Sequence, residues 1–378
     1  MRRVGKSYFL RLIIALLRDR GIRDEQIIYI DMESLDYDFI HDYRQLNSYI
    51  QKKSKAVSGQ IFVFIDEIQE IDGWEKCVAS LLGSKRYDIF ISGSNASMLS
   101  SELASMLSGR YIEFPLYSLG LSEFIEFMGK EQNDAADLFP TFLKFGGFPA
   151  LPHFDFDQEV VYQYISSLYN TILLKDVVKR HKVRNVSLLE NITTYAFDNI
   201  GNIFSAKKLS DYLKSQRMAL SVETVQNYLS YICSTFALYK VQRYDIKGKR
   251  LLELHEKYFL GDIGLRHALL GYREADISGI LENIVFLELK RQGYEVFIGK
   301  LGSFEIDFIA TKNNEKIYIQ VCYLLASPDT IEREFRPLLT IKDNYPKYVI
   351  SMDTIFGNDF EGIKRLNVVD FLLTPPVA

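Results

Sequence analysis

The sequence Gly5-Lys6-Ser7 stands directly before residues 8–17, an apolar stretch with helical periodicity. In a phosphate-binding loop, backbone N–H groups at a helix start hold phosphate oxygens, a lysine reaches the terminal phosphates, and a Ser or Thr hydroxyl binds Mg²⁺. We therefore expect Gly5, Lys6, Ser7 and Tyr8 to bind nucleotide phosphates, with Ser7 also a Mg²⁺ ligand. Taken alone these three residues are a weak signal, and they predict a P-loop α/β core together with the acidic motif described below.

The complete loop pattern, G-x-x-x-x-G-K-[ST], places its first glycine one position before Met1. The strand that leads into such a loop would lie further upstream. We therefore expect a loop that is truncated at its N-terminal side and has lost some backbone donors. Each such donor contributes about 1.5–3 kcal/mol when it binds a charged phosphate, so weakened ATP affinity is expected in this chain.

A second motif consists of five consecutive apolar residues, 61–65, followed by Asp66 and Glu67. A continuous apolar run is typical of a buried parallel strand, and the carboxyl end of such a strand is where open α/β sheets place ligand chemistry. Asp66 is then expected to hold Mg²⁺, directly or through water, and Glu67 to act as the base that polarises the attacking water. The alternative is a core strand that ends in a solvated turn.

Two further segments carry candidate residues for the same site. Residues 88–92 predict a strand that ends in Gly93-Ser94-Asn95, where Ser94 or Asn95 is a candidate to sense the γ-phosphate or to position water. Ordinary turn chemistry is the alternative for this segment. Arg110 lies in residues 107–116, which are expected to form a loop that feeds a short strand, and it could stabilise phosphate charge in its own or a neighbouring subunit. The alternative is a surface arginine.

Composition sets the class of the protein. The 378 residues suggest two or three domains, and the 48% apolar and 25% charged fractions are those of a globular protein. No membrane-length apolar run and no signal-peptide pattern occur, so a cytoplasmic protein without membrane contact is expected. The three cysteines and five histidines are scattered, and neither disulfides nor a zinc site are predicted.

The periodicity along the chain predicts four segments. Residues 1–120 alternate helix and strand signals, which favours a parallel sheet with helices on both faces. Residues 121–184 are mainly helical, with a turn at Gly146-Gly147-Phe148-Pro149. Residues 185–255 resemble a winged helix, with helices at 188–200, 205–214 and 221–234 before a strand and a turn. The third helix either presents Thr224, Gln226 and Asn227 to a DNA groove or packs against protein.

The order of the motifs resembles a known family. The chain is similar to predicted AAA+ superfamily ATPases of bacteria and archaea that carry a C-terminal domain of unknown function. The resemblance covers nearly the whole chain and implies ATP binding and hydrolysis with Mg²⁺, with an unassigned cellular task. The segments that carry it are Gly5-Lys6-Ser7, Asp66-Glu67, Gly93-Ser94-Asn95, Ser108-Gly109-Arg110-Tyr111, Gly146-Gly147-Phe148-Pro149 and residues 258–265.

Residues 256–378 resemble the restriction-endonuclease-like α/β fold that is often found in this family. Such nucleases use an acid on a helix, an Asp on one strand, and an acid-x-Lys on the next. The matching positions are Glu282 in a helix over 281–292, Asp307, Gln320 and Cys322. A neutral amide is a poor Mg²⁺ ligand, and a thiol cannot replace an ammonium. We therefore expect a retained fold with a lost active site.

Three functions are compatible with these patterns. The first is an ATP-hydrolysing AAA+ type molecular switch whose effector half is the winged helix and the degenerate nuclease fold. The second is a DNA-binding module that nucleotide regulates, with negligible turnover. The third is a nucleotide-binding scaffold for a protein partner or for self-association. Salt-dependent DNA binding would separate the second function from the third.

Overall fold

The computed structural model describes residues 1–95, 107, 109–215, 220–354 and 359–374, with the backbone alone for 253–255. The chain divides into two compact units, Met1–Leu116 and Tyr117–Ala378. Within the described ranges, no helix is both long enough and apolar enough to cross a lipid bilayer.

The N-terminal unit alternates helices and strands along the chain, as the periodicity predicts. The strands predicted at residues 61–65 and 88–92 are found with bounds that differ by one residue, within the usual uncertainty at element ends. The elements are α1 (Lys6–Asp19), β1 (Ile27–Asp31), α2 (Tyr43–Ser54), β2 (Ile61–Asp66), α3 (Trp74–Gly83) and β3 (Tyr87–Ile91), with 3-10 turns at Asp24–Gln26, Leu35–Tyr37 and Ile68–Glu70.

The three strands form a parallel sheet in the order β1-β2-β3. Because side chains alternate along a strand, β2 supplies both faces of the sheet. Val63 and Ile65 pack with α2 and α3 on one face, whereas Phe62 and Phe64 pack with α1 on the other. The predicted parallel sheet with helices on both faces is therefore confirmed for this unit.

The prediction of a short strand within residues 107–116 is wrong for the described residues of this range. Residues 110–117 form neither helix nor strand. The apolar side chains of this segment remain exposed, with Ile112 at 81% and Phe114 at 70%. A strand needs a neighbour that supplies backbone partners and a face to bury, and this segment has neither among the described residues. Ser108, named in the sequence motif, lies outside the described residues.

The C-terminal unit begins with helices. The bundle is α4 (Leu121–Phe127), α5 (Ala135–Phe145), α6 (Gln158–Thr171), which continues as a π-helical segment (Ile172–Lys179), α7 (Val186–Asp198), α8 (Ala206–Ser215) and α9 (Val222–Ser234). Short 3-10 turns lie at Gln132–Asp134, Leu151–Phe154 and, later, Glu274–Asp276.

The second part of this unit contains all of its described strands. Its elements are β4 (Leu238–Asp245), β5 (Arg250–Leu260), α10 (Ile263–Leu270), α11 (Ile277–Arg291), β6 (Glu295–Leu301), β7 (Phe304–Lys312), β8 (Glu315–Val321), α12 (Pro328–Leu339), β9 (Lys347–Ser351), β10 (Asp359–Phe360), β11 (Ile363–Asn367) and α13 (Val368–Leu373).

These strands form one mixed sheet in the order β10-β11-β9-β8-β7-β6-β4-β5. Strands β4 and β5 are an antiparallel hairpin, and β4 also pairs in parallel with β6 through Arg243, Tyr244 and Asp245. The three-helix segment therefore leads into a hairpin that belongs to the large sheet. A domain boundary between residues 255 and 256 would cut β5.

Helix α11 begins earlier than the sequence indicates. It starts at Ile277 instead of Leu281 and ends at Arg291, so Glu282 lies inside the helix and not at its first turn. The residues before Leu281 also form helix because Ile280 and Leu281 are buried in the main core of this unit. Tertiary burial therefore extends the helix beyond what periodicity predicts.

The two glycine motifs of this unit meet at one buried carboxylate. The Asp262 carboxylate accepts from the N–H of Gly147 at 2.9 Å and from the N–H of Gly264 at 2.8 Å. A Cβ on Gly147 would lie 2.2 Å from the carbonyl oxygen of Leu119, and Gly146 has φ +80°. The predicted turn at residues 146–149 is therefore held by Asp262, and these motif residues have a structural role.

We expect Asp262→Ala to lower the free energy of unfolding of this unit by about 2–4 kcal/mol, because two buried N–H groups would lose their acceptor. Urea unfolding followed by circular dichroism measures the change, while Trp74, the single tryptophan, reports the N-terminal unit. The control is Asp211→Ala, since Asp211 is exposed and pairs with Lys214 at 3.6 Å. Equal effects of the two substitutions would contradict this role.

The same carboxylate predicts a pH dependence. Burial raises the pKa of Asp262 from its ordinary 3.8 to about 6, although the hydrogen bond from the backbone N–H of Gly147 acts to lower it. Between these two values the folded protein keeps a proton that the unfolded chain releases, so stability falls as the pH rises through this interval. Asp262→Asn removes this slope from the pH profile of the free energy of unfolding. An unchanged slope in the variant would assign it to other groups.

Candidate functional site

The start of α1 presents free backbone donors. Gly5 adopts φ 100°, a left-handed conformation that disfavours residues with a side chain, and its carbonyl accepts the first helical bond from Phe9 N at 2.9 Å. The N–H groups of Lys6, Ser7 and Tyr8 therefore have no partner within the helix, and the N-cap residue Gly5 has no side chain that could cap them. This donor set fits a phosphate group.

Asp66 and Glu67 lie where β2 ends, and both are buried. Ser92, the residue after β3, donates through its hydroxyl to one oxygen of Asp66, and Tyr29 in β1 donates to the other oxygen at 3.4 Å. The parallel register brings these strand ends together, because Asp31 lies opposite Asp66. Asp66 is thus fixed by both neighbouring strands.

The carboxylate of Glu67 pairs with the helix start. Lys6 Nζ lies 3.5 Å from Glu67 Oε1, and Ser94 Oγ donates to Glu67 Oε2 at 3.1 Å. The side chain of Gln69 donates to the same oxygen at 2.5 Å. Burial alone would raise the pKa of Glu67, but the Lys6 ammonium, with Gln69, Arg2 and Ser94, lowers it below the ordinary value. Glu67 is therefore an anion at neutral pH.

Lys6 also donates to the carbonyl oxygen of Met1 at 2.8 Å. Its ammonium thus lies between the backbone at the start of the chain and the carboxylate of Glu67. A lysine side chain has rotatable bonds and three donors, so it can exchange these contacts for a phosphate. The hydroxyl of Ser7 and the carboxylate of Asp66 supply oxygen ligands of the kind that Mg²⁺ prefers.

The other predicted site residues have different environments. Ser94 and Asn95 are buried, whereas the side chain of Tyr8 is 73% exposed, so its contribution would be its backbone N–H. Arg110 is exposed, and its Nε donates to the carbonyl of Leu107 at 3.2 Å. Within the described part of the chain, no hydrogen bond or ion pair joins Arg110 to Asp66 or Glu67.

Sequence reasoning missed several members of this cluster. Arg2 is buried and pairs with Glu33 at 3.0 Å, and Tyr29, Gln69 and Ser92 contact the two carboxylates as described above. Ser92 precedes the named Gly93-Ser94-Asn95, so extending the motif by one residue would have found it. Tyr29 gives no local signal, because its role depends on the parallel pairing of β1 with β2.

A second group of ionisable residues lies in the C-terminal unit. Lys257 in β5 pairs with Glu305 at 2.8 Å, with Glu282 at 3.0 Å and with Asp307 at 3.5 Å. Burial and the nearby Asp307 raise the pKa of Glu282, and burial raises the pKa of Asp307. The structure therefore brings Glu282 and Asp307 to the same lysine, Lys257, which is not one of the positions of the sequence motif.

Gln320 and Cys322 adjoin this group in a cleft of about 910 Å³. The Gln320 amide oxygen accepts from the N–H of Asp307 at 2.8 Å, and its NH₂ group donates to Glu334 at 3.2 Å. Burial raises the pKa of the Cys322 thiol to about 12, so it is neutral. The sequence motif places its lysine at the position of Cys322, whereas in the structure Lys257 supplies an ammonium to this group.

The chain is similar to known proteins in both halves. Residues 1–125 match the model of an AAA domain family, and residues 136–276 match a domain of unknown function (DUF8612). An uncharacterized protein of Haemophilus influenzae is 38% identical over 99% of this chain and 92% of its own length. An uncharacterized protein of Methanocaldococcus jannaschii is 30% identical over 98% of this chain and 83% of its own length. A Vibrio cholerae crystal structure aligns at 14% identity with a TM-score of 0.20, over 93% of this chain and 96% of that protein.

We expect Lys6→Ala to abolish measurable Mg·ATP binding, because a phosphate at the start of α1 would lose its mobile cation. Isothermal titration calorimetry measures the dissociation constant. Lys55→Ala is the matched control, since Lys55 is an exposed lysine of the same unit. If Lys6→Ala and the parent protein bind Mg·ATP equally well, the start of α1 is not the phosphate site.

Proposed function

Because the chain belongs to the family of these two uncharacterized proteins and carries an AAA domain, we propose that it is an ATP-hydrolysing molecular switch. The observation that carries this proposal is the convergence of Gly5-Lys6-Ser7 at a helix start with buried Asp66 and Glu67. These residues come from three separate segments of the N-terminal unit. A purely structural ion pair would not require uncapped N–H groups beside it.

Different residues of this site bind the nucleotide and accept the proton. The N–H groups of Lys6, Ser7 and Tyr8 bind phosphate oxygens, and the ammonium of Lys6 neutralises their charge. Ser7 and Asp66 would hold Mg²⁺, which when bound offsets further phosphate charge. Glu67 orients the attacking water and accepts its proton at a carboxylate oxygen.

Lys6 links nucleotide binding to the basicity of the Glu67 carboxylate. In the structure, the Lys6 ammonium is one of the groups that lower the pKa of Glu67. When Lys6 turns to a phosphate, Glu67 loses this cation and its pKa rises, which makes it a stronger base. Ser94, which donates to Glu67, then holds the carboxylate in place. The base is thus activated only when the nucleotide is bound.

The C-terminal unit is the effector half of this switch. The order α11-β6-β7-β8-α12-β9, with β6, β7 and β8 antiparallel and β9 parallel to β8, supports a restriction-endonuclease-like core. Gln320 and Cys322 stand where that core needs an acid and a lysine. The unit therefore keeps a nuclease-like fold without nuclease chemistry.

A DNA-binding module regulated by nucleotide remains the alternative function. In its favour, Gln226 and Asn227 are exposed on α9, and the hairpin turn carries the exposed Lys247 and Lys249. One observation opposes this alternative. The wing of a DNA-binding winged helix would project freely, whereas β4 pairs with β6 on the side away from β5. Salt-dependent DNA binding that Gln226→Ala and Asn227→Ala weaken, without measurable ATP turnover, would favour this alternative.

Glu67→Gln should retain ATP binding and slow hydrolysis by about 10²–10⁴-fold, because the amide cannot take the proton. Asp66→Asn should instead weaken binding that depends on Mg²⁺, because a metal ligand loses its charge. Phosphate release gives the turnover number, and calorimetry with and without Mg²⁺ gives the affinity. Identical behaviour of the two variants would refute this division of roles.

The purified protein should not cleave DNA in the presence of Mg²⁺ or Mn²⁺, with or without ATP. The reason is that Gln320 is neutral where a restriction-endonuclease-like core uses an acid, and the ammonium of Lys257 already pairs with Glu282, Glu305 and Asp307. Supercoiled plasmid gives a sensitive assay of single cuts. Cleavage that Asp307→Ala abolishes and Lys6→Ala leaves intact would show that the nuclease chemistry is present.

A further inference from the structure

The side chain of Lys257 is only 3% exposed, and its ammonium contacts carboxylates from two other elements. Glu305 and Asp307 lie on β7, and Glu282 lies on α11. The three Nζ–O distances are 2.8, 3.5 and 3.0 Å. We call these four residues the Lys257 cluster. It faces the cleft of about 910 Å³ through its three acidic members.

The backbone holds the Lys257 cluster in place. The side-chain amide of Asn283 accepts from the N–H of Leu260 at 2.7 Å and donates to its carbonyl at 3.0 Å. This pair ties the end of β5, three residues after Lys257, to the helix that carries Glu282. The second oxygen of Asp307 accepts from the N–H of Val321 at 2.9 Å. Both the cation and its carboxylates are therefore preorganised.

The charges of the cluster require a cation at its centre. Three carboxylates that converge on one point repel each other, and removing a buried partner leaves uncompensated charge, which is strongly destabilising. The surrounding side chains do not offer a substitute. Gln320 and Cys322 are neutral, Glu334 adds negative charge, and Arg333 pairs with Glu334 at 2.8 Å and is 72% exposed. The ammonium of Lys257 is thus the cation that offsets part of the negative charge of the cluster.

A divalent ion would need the same space. Mg²⁺ and related ions bind carboxylate oxygens at 2.0–2.6 Å, and here the oxygens surround Nζ instead. Among the described residues, no three His, Cys, Asp or Glu side chains form a metal-binding group. The carboxylates are therefore arranged around an ammonium and not around an open metal position.

We propose that Nζ of Lys257 is a built-in cation that occupies the position of a divalent metal ion in this carboxylate cluster. The parent protein consequently recruits no metal there. Removal of the ammonium leaves three preorganised carboxylates and turns the cluster into a divalent metal site. This inference does not depend on nucleotide binding by the N-terminal unit.

The test compares the parent protein with Lys257→Ala, purified in parallel with EDTA and with Mn²⁺, without nucleotide. Electron paramagnetic resonance counts bound Mn²⁺, and thermal unfolding gives Tm. We expect one additional Mn²⁺ per chain in Lys257→Ala, and a rise in its Tm of about 5 °C at Mn²⁺ concentrations 100-fold above the dissociation constant. The parent protein should show neither change.

Two controls assign the metal to the cluster. Lys257→Ala combined with Asp307→Asn should lose the additional Mn²⁺, because one ligand becomes neutral. Lys240→Ala should behave as the parent protein, since Lys240 is half-exposed on β4 and pairs with Glu256 outside the cluster. These variants separate metal binding at the cluster from a general effect of removing a lysine.

Each outcome decides the proposal. Gain of Mn²⁺ in Lys257→Ala that depends on Asp307 supports it. Three results overturn it: Mn²⁺ binding by the parent protein that Asp307→Asn abolishes, a folded Lys257→Ala that binds no Mn²⁺, or a Lys257→Ala that stays unfolded with Mn²⁺ as well as with EDTA. Mn²⁺ binding by the parent protein, and its loss in Asp307→Asn, can be measured whether or not Lys257→Ala folds.

Discussion

The parallel register of β1, β2 and β3 is the constraint on which the N-terminal site depends. It brings the ends of three strands to one edge of the sheet, so that Tyr29 and Ser92 both hold Asp66. Helix α1 packs on the same sheet through Leu10 and Ile14, which places Lys6 beside Glu67. A shift of one residue in β2 would turn the carboxylate of Asp66 to the opposite face.

The C-terminal unit depends on a comparable constraint, the close contact between segments far apart in the sequence. Asp262 joins the turn at Gly147 to the start of α10, and Asn283 joins α11 to the end of β5. Each uses a buried polar side chain whose partners are backbone groups, a contact that is costly to break. The same contacts determine where Lys257 lies, so the fold of this unit sets the charge balance of its cleft.

Local patterns predicted much of the fold of the N-terminal unit and named several residues that the structure brings together near the start of α1. The apolar run before Asp66 and the helical stretch after Ser7 carry their own periodicity, and both elements occur where expected. The position of Lys257 could not be predicted, because it lies on a strand outside the nuclease-like motif and reaches Glu282 only through tertiary packing. The short strand expected within residues 107–116 is absent because its apolar residues have no neighbouring strand to pair with among the described residues.

The central claim is that the start of α1 binds the phosphates of ATP. Hydrogen–deuterium exchange of the parent protein with and without millimolar Mg·ATP tests it most directly, because it reports on the backbone N–H groups themselves. The account predicts slower exchange in peptides that contain Lys6, Ser7 and Tyr8, and in those that contain Asp66 and Glu67. Unchanged exchange in both regions, with protection elsewhere in the chain, would contradict it.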